Sequence, residues 1–153
     1  MKKNFLPISI DISNSKILVV GGGQSALKKI KILQRANASI EVIADSFIEE
    51  INNLDVVRIQ KAYEKSDLNG YLMLYSCTDD DALDRQIAID GREAGVLVNV
   101  HDKPELCQFV SPAIYRDGNI SVAVSSNGED VQEAIRTRNL IQKFLENLKN
   151  TQI

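Results

Sequence analysis

The sequence predicts an α/β protein: a parallel, doubly wound sheet, then an antiparallel hairpin and one long helix. Three observations carry this. Short apolar runs alternate with helical segments between Lys16 and Val100, the signature of βαβ units. A glycine triplet, Gly21 to Gly23, separates the first clear strand from the first clear helix. Beyond Val100 the alternation gives way to a hairpin signal and a long amphipathic stretch.

The elements follow in order. Ile8 to Ile10 predicts a short strand, and Asp11 to Ser15 a turn. Lys16 to Val20 ends in a continuous apolar run and predicts a strand buried on both faces. Gln24 to Ala36 predicts a helix with Ala26, Leu27, Ile30 and Leu33 inside and Lys28, Lys31 and Arg35 outside. Ser39 to Ile43 is the second strand, and Phe47 to Ile51 a short helix. Val56 to Ile59 and Tyr71 to Cys77 are the third and fourth strands. Asp79, Asp80 and Asp81 form an acidic first turn that suits the positive end of a helix reaching Ala94. Gly95 closes that helix, and Val96 to Val100 is the fifth strand. Asp117-Gly118 stands between Ala113–Arg116 and Asn119–Val124, a hairpin signal. Glu129 to Leu148 carries an apolar stripe of Ala134, Ile135, Ile141, Phe144, Leu145 and Leu148. The expected division is residues 1–110, a nucleotide-binding domain, and residues 111–153, a hairpin-and-helix appendage. The join lies in His101 to Ser111.

Composition narrows the function. A net charge of -3, from 18 basic and 21 acidic side chains, argues against a general nucleic-acid binder. Cys77 and Cys107 have neither CxxC nor zinc spacing and predict reduced, buried thiols. Three adjacent acids at 79–81 suit a helix start better than a metal site, and no metal is expected. No signal peptide and no membrane-spanning run is visible, so the expected location is the cytoplasm.

Gly21-Gly22-Gly23-Gln24-Ser25-Ala26 fits G-x-G-x-x-A after a strand and before a helix. In this reading Gly21 permits the tight turn and Gly23 lets a pyrophosphate approach the backbone. Ala26 lets helix and sheet pack closely, and the phosphates meet the helix N-terminus. This is the dinucleotide-binding arrangement of a Rossmann-like sheet, and it predicts NAD as cofactor. Asp45 lies near the end of the second strand, where a carboxylate bonds ribose hydroxyls; a loop or capping role is the alternative. Thr78 and Asp79 end the fourth strand at the same sheet edge; Asp79 could contact the cofactor, cap the next helix, or both.

Several ordered segments resemble the precorrin-2 dehydrogenase family, which includes the N-terminal part of sirohaem synthase. They are Leu6-Pro7-Ile8, Leu18 to Gly23 with Ala26 and Lys29, Thr78 to Leu83, and Asn99-Val100-His101-Asp102-Lys103-Pro104. Phe109, Pro112-Ala113-Ile114 and Ile120 to Ser126 extend the likeness, which runs from about Leu6 to Gly128. The resemblance implies NAD-dependent oxidation of precorrin-2 to sirohydrochlorin, with iron insertion in some members. It implies a cofactor over Gly22, Gly23, Gln24 and Ser25 and against Asp45 and Ser46. It places the catalytic acid on Asp102 and implies a homodimer formed through the segment after the sheet. Read without the resemblance, Asp102 near Pro104 is a turn former.

His101, the single histidine, is expected to line the substrate pocket, with a structural role as the alternative. A tetrapyrrole bears many carboxylates, and Lys103, Arg116, Arg136 and Arg138 are the basic groups near the join. Arg116 is favoured because the hairpin faces the join, and Ser126 is the further substrate candidate. After Ser126 the chain reads Asn127-Gly128-Glu129 where the family often has Gly and then Ser-Pro. Three rivals use the same fold: another NAD-dependent oxidoreductase, a non-catalytic NAD-binding redox sensor, and a chelatase without NAD. The intact glycine turn argues against the last.

Overall fold

A computed structural model describes residues 3–151. The chain forms two compact units. One is Ser9–Phe109; the other comprises the described residues of Met1–Ile8 and Val110–Ile153.

In the first unit, strands β1 (Lys16–Val20), β2 (Ser39–Ala44), β3 (Val57–Gln60), β4 (Tyr71–Ser76) and β5 (Leu97–Val100) form one sheet in the order β3-β2-β1-β4-β5. Every pairing is parallel. The sheet therefore reverses its winding between β1 and β4, and ligands bind at the carboxyl edge beside such a switch point. Helix α1 (Gln24–Gln34) buries Ala26, Leu27, Ile30 and Leu33 against Ile17, Val19, Val42 and Met73. These side chains form the core on one sheet face. Helix α2 (Glu49–Asn52) is a single turn, and α3 (Asp81–Glu93) buries Ile87, Ala88 and Gly91.

The structure corrects several expectations. Ile8 to Ile10 joins no sheet. Both edges of β1 are already taken by β2 and β4, and Ile10 instead packs as a partly buried side chain on the core. Phe47 and Ile48 precede α2, because the Ile48 N–H donates to the Gly22 carbonyl at 2.9 Å. The third strand starts at Val57 and the fifth at Leu97. Asp80 caps α3 by accepting from the N–H groups of Ala82 (2.9 Å) and Leu83 (3.1 Å), which leaves Asp79 outside the helix.

In the second unit, β6 (Ala113–Asp117) and β7 (Ile120–Val124) pair antiparallel. Asp117 pairs with Ile120, so the turn residues are Gly118-Asn119 rather than Asp117-Gly118. Gly118 takes φ +54° at the first central position, where a type II′ turn requires glycine. Helix α4 (Val131–Thr151) starts where the Asp130 carboxylate accepts from the Glu133 N–H at 2.8 Å. It is tied to the hairpin by the Arg138 guanidinium on the Ile114 carbonyl (2.8 Å) and by a Lys149–Asp117 ion pair. Only Ala134 of its apolar stripe is buried, while Leu140, Phe144 and Leu148 are exposed.

Candidate nucleotide-binding site

A cleft of about 510 Å³ opens at the switch point, over the carboxyl ends of β1, β2 and β4. Gly21, Gly22, Gly23, Asp45, Ser46, Thr78 and Asp79 all line it, so one surface unites these seven expected residues. Gln24 and Ser25 stand beside it on the first turn of α1, where the Gln24 amide donates to Glu50 at 3.2 Å.

The three glycines do different work. Gly21 has φ +128°, and a Cβ there would meet the Cys77 carbonyl oxygen at 2.2 Å. A Cβ on Gly22 would stand 1.8 Å from the Ser46 carbonyl oxygen. Gly22 is thus needed for the approach of the β2–α2 loop, a role the motif did not assign. A Cβ on Gly23 would meet no protein atom within 4 Å. That free space adjoins the uncapped start of α1, whose N–H groups carry partial positive charge. The arrangement fits a dinucleotide pyrophosphate held by backbone donors, with open space for it at Gly23.

Asp45 is exposed at the end of β2. Its carbonyl accepts from Gln60 at 3.0 Å, but among the described residues no hydrogen bond reaches its carboxylate. Ile48 occupies the α2 N-cap position, so Asp45 is not a helix cap. Lys61 and Tyr63 also line the cleft, and sequence reasoning missed both. Lys61 is paired with Asp67 at 2.8 Å. Cys77 forms part of the wall, and burial pushes its thiol up to about 12. Both cysteines are buried thiols outside any disulfide.

Asp102 follows β5 in a left-handed conformation, φ +56°. Its side chain is 84% exposed, and one oxygen lies 3.3 Å from His101 Nε2. Beside it is a network the sequence reading did not foresee. The buried Asp84 carboxylate accepts from Ser76 Oγ and Thr78 Oγ1, each at 2.6 Å, and pairs with Lys103. Lys103 also pairs with Asp81 at 2.6 Å, and these bonds hold its ammonium well above its ordinary pKa. It is therefore committed within the protein and is not a spare cation for substrate carboxylates. Asp84 was legible in principle: it shares the i, i+3, i+4, i+7 face of Ile87, Ala88 and Gly91. Lys29 likewise falls among the inner residues of α1, with its Nζ 5.3 Å from the Tyr75 ring centre. Burial lowers its pKa, and the Asp102 charge opposes that shift.

Arg116 and Ser126 belong to the other unit. Arg116 Nε donates to Ser121 Oγ across the hairpin at 3.1 Å. Ser126 Oγ accepts from the Asp130 N–H at 3.0 Å, just before α4. Arg136 pairs with Glu133 at 2.8 Å.

The chain is 36% identical over 130 residues to the siroheme synthase of Vesicomyosocius okutanii, a match covering 82% of this chain and 28% of the relative. The siroheme synthase of Methylococcus capsulatus is 35% identical over 141 residues, covering 88% of this chain and 30% of its own length. The chain thus spans less than a third of these relatives. The solved structure of SirC, precorrin-2 dehydrogenase, shares the fold with a TM-score of 0.75 and 23% identity, covering 91% of this chain and 70% of that one. A family model described as putative NAD(P)-binding matches residues 8–113, a stretch that contains every residue of the cleft. The glycine turn, the free space at Gly23 and this match agree, and the chain belongs to the putative NAD(P)-binding family.

Proposed function

We propose that this protein oxidises precorrin-2 to sirohydrochlorin with NAD+. The observation that carries the reading is the glycine cleft, fitted to a dinucleotide in a chain that matches siroheme synthases over most of its length. The name of the structural relative, precorrin-2 dehydrogenase, points to the same reaction.

Gly22, Gly23, Gln24 and Ser25 hold the pyrophosphate, and the Asp45 carboxylate accepts from ribose hydroxyls with Ser46 beside it. When bound, NAD+ supplies the acceptor for a hydride and its electron pair. Asp102 takes the proton released when the macrocycle loses that hydride and gains a double bond. His101 orients the Asp102 carboxylate from 3.3 Å and borders the substrate. Arg116 and Ser126 bind substrate carboxylates, the guanidinium bidentately. Two copies associate through the segment after the sheet, and the enzyme works in the cytoplasm. Among the described residues no helix is long and apolar enough to cross a membrane.

The test is an anaerobic reaction of the purified protein with NAD+ and precorrin-2 made in situ. NADH absorbance and the tetrapyrrole spectrum are followed together, with Asp102→Asn in parallel. Coupled appearance of NADH and sirohydrochlorin, slowed about 100-fold or more in the variant, supports the reading. NAD binding without turnover removes the enzyme and favours a redox-sensing module.

A further inference from the structure

We propose that Asp84 is the positioning residue for Asp102, fastening the 101–103 turn to the cofactor edge of the sheet. The proposal rests on Asp102 as the proton acceptor and deepens that reading.

Three observations carry it. First, Asp84 joins elements that bear on both reactants. Ser76 ends β4, Thr78 lines the nucleotide cleft, and Lys103 immediately follows Asp102. One buried carboxylate, 1% exposed, bonds all three. Second, the turn is held from its other sides as well. The His101 N–H donates to the Ser76 carbonyl at 2.9 Å, and the Lys103 N–H to the Val100 carbonyl at 3.3 Å. The Val100 N–H donates to Cys107 Sγ at 3.1 Å, and that thiol lies 3.2 Å from the Val100 carbonyl and 3.3 Å from the Lys103 carbonyl. Third, all this fastening surrounds an exposed residue at φ +56°. A side chain in that sparsely used region persists where its surroundings over-determine it, a condition concentrated at functional sites. A buried ion pair is weak evidence for stability alone. Here it links the wall of the cofactor cleft to the residue that receives the proton. Apart from its contact with His101, the exposed carboxylate of Asp102 faces outward, because its neighbour Lys103 bears the anchoring bonds.

The test compares Asp84→Asn, Lys103→Met and Lys103→Arg in the full chain. NAD affinity and circular dichroism are measured first, to establish that each variant folds. Asp84→Asn and Lys103→Met are expected to lower kcat about 10- to 100-fold while NAD affinity stays within about twofold. Lys103→Arg, which keeps the charge, restores most of the loss. Combined with Asp102→Asn, Asp84→Asn costs nothing further, because both act through one group. Unchanged kcat in the two disruptive variants, or losses that multiply with Asp102→Asn, overturns the proposal and leaves the dehydrogenase reading standing. If the unaltered protein shows no turnover, that reading fails by itself, and amide exchange decides the positioning. Exchange at His101 and Lys103 about tenfold faster in Asp84→Asn supports it, whereas unchanged exchange overturns it.

Discussion

Gly21, Gly22 and Gly23 look alike in sequence and are separable in structure. An added methyl at Gly21 or Gly22 collides with a backbone carbonyl, whereas at Gly23 it enters open space. Gly23→Ala is therefore expected to leave the melting temperature nearly unchanged while weakening NAD binding about 10-fold or more, because the phosphate loses its approach. Gly22→Ala should destabilise by about 1–3 kcal/mol, through overpacking against Ser46. Calorimetric melting beside fluorescence titration with NADH separates the effects. Loss of stability in Gly23→Ala, or intact NAD binding, contradicts the division. Lys29 is the other informative residue. Burial lowers its pKa, so its charged form is penalised in the fold at neutral pH. That penalty is present below the lowered folded value and fades as pH rises toward the ordinary 10.5. Lys29→Met keeps an apolar stem over Tyr75 and should raise melting by about 2–4 °C at pH 7, with the gain shrinking near pH 10.5. A lower melting temperature at pH 7 shows that the cation–π contact outweighs burial.

At the scale of elements, the sheet is cross-linked on one face by Glu41 of β2, which bonds Lys16 of β1 at 2.6 Å and accepts from the Tyr71 hydroxyl of β4. The Lys16 bond, then the Tyr71 hydroxyl, holds the Glu41 carboxyl below its ordinary 4.5. A lowered carboxyl pKa stabilises above the unfolded value and loses that contribution as pH falls through the folded one. Glu41→Gln should thus melt a few degrees lower than the parent at pH 7, and the two curves should converge as pH falls well below the ordinary 4.5. A difference that persists at low pH assigns the loss to packing instead. The alternation of elements was readable because period and composition change sharply at each boundary. Lys16–Val20 and Tyr71–Ser76 matched closely because a doubly buried strand leaves an uninterrupted apolar run. Ile8 to Ile10 misled because β-branched residues signal a strand without saying whether a partner strand takes them. The Asp84–Lys103 pair escaped because a charge on an apolar helix face gains meaning only once its partner, 19 residues away, is known.

The molecule consists of two compact units. Every residue lining the nucleotide cleft lies in Ser9–Phe109, which has its own core. The proposed dimer contact instead falls on the other unit, where α4 leaves Leu140 64%, Phe144 62% and Leu148 46% exposed at i, i+4, i+8. An apolar row of that kind suits a second copy of the same surface, since closed two-fold association is the commonest assembly of like chains. Phe144→Glu puts a charge at the centre of the row and should give a monomer by sedimentation where the parent is a dimer. NAD affinity should change by less than about twofold, because the glycine turn is far from α4 in sequence and belongs to the other unit. Precorrin-2 turnover then becomes a separate measurement of the assembly. If it falls with the dimer while NAD binding holds, the second copy contributes to the substrate site. If the parent itself sediments as a monomer, the exposed row has another use, and the nucleotide site is left unaffected.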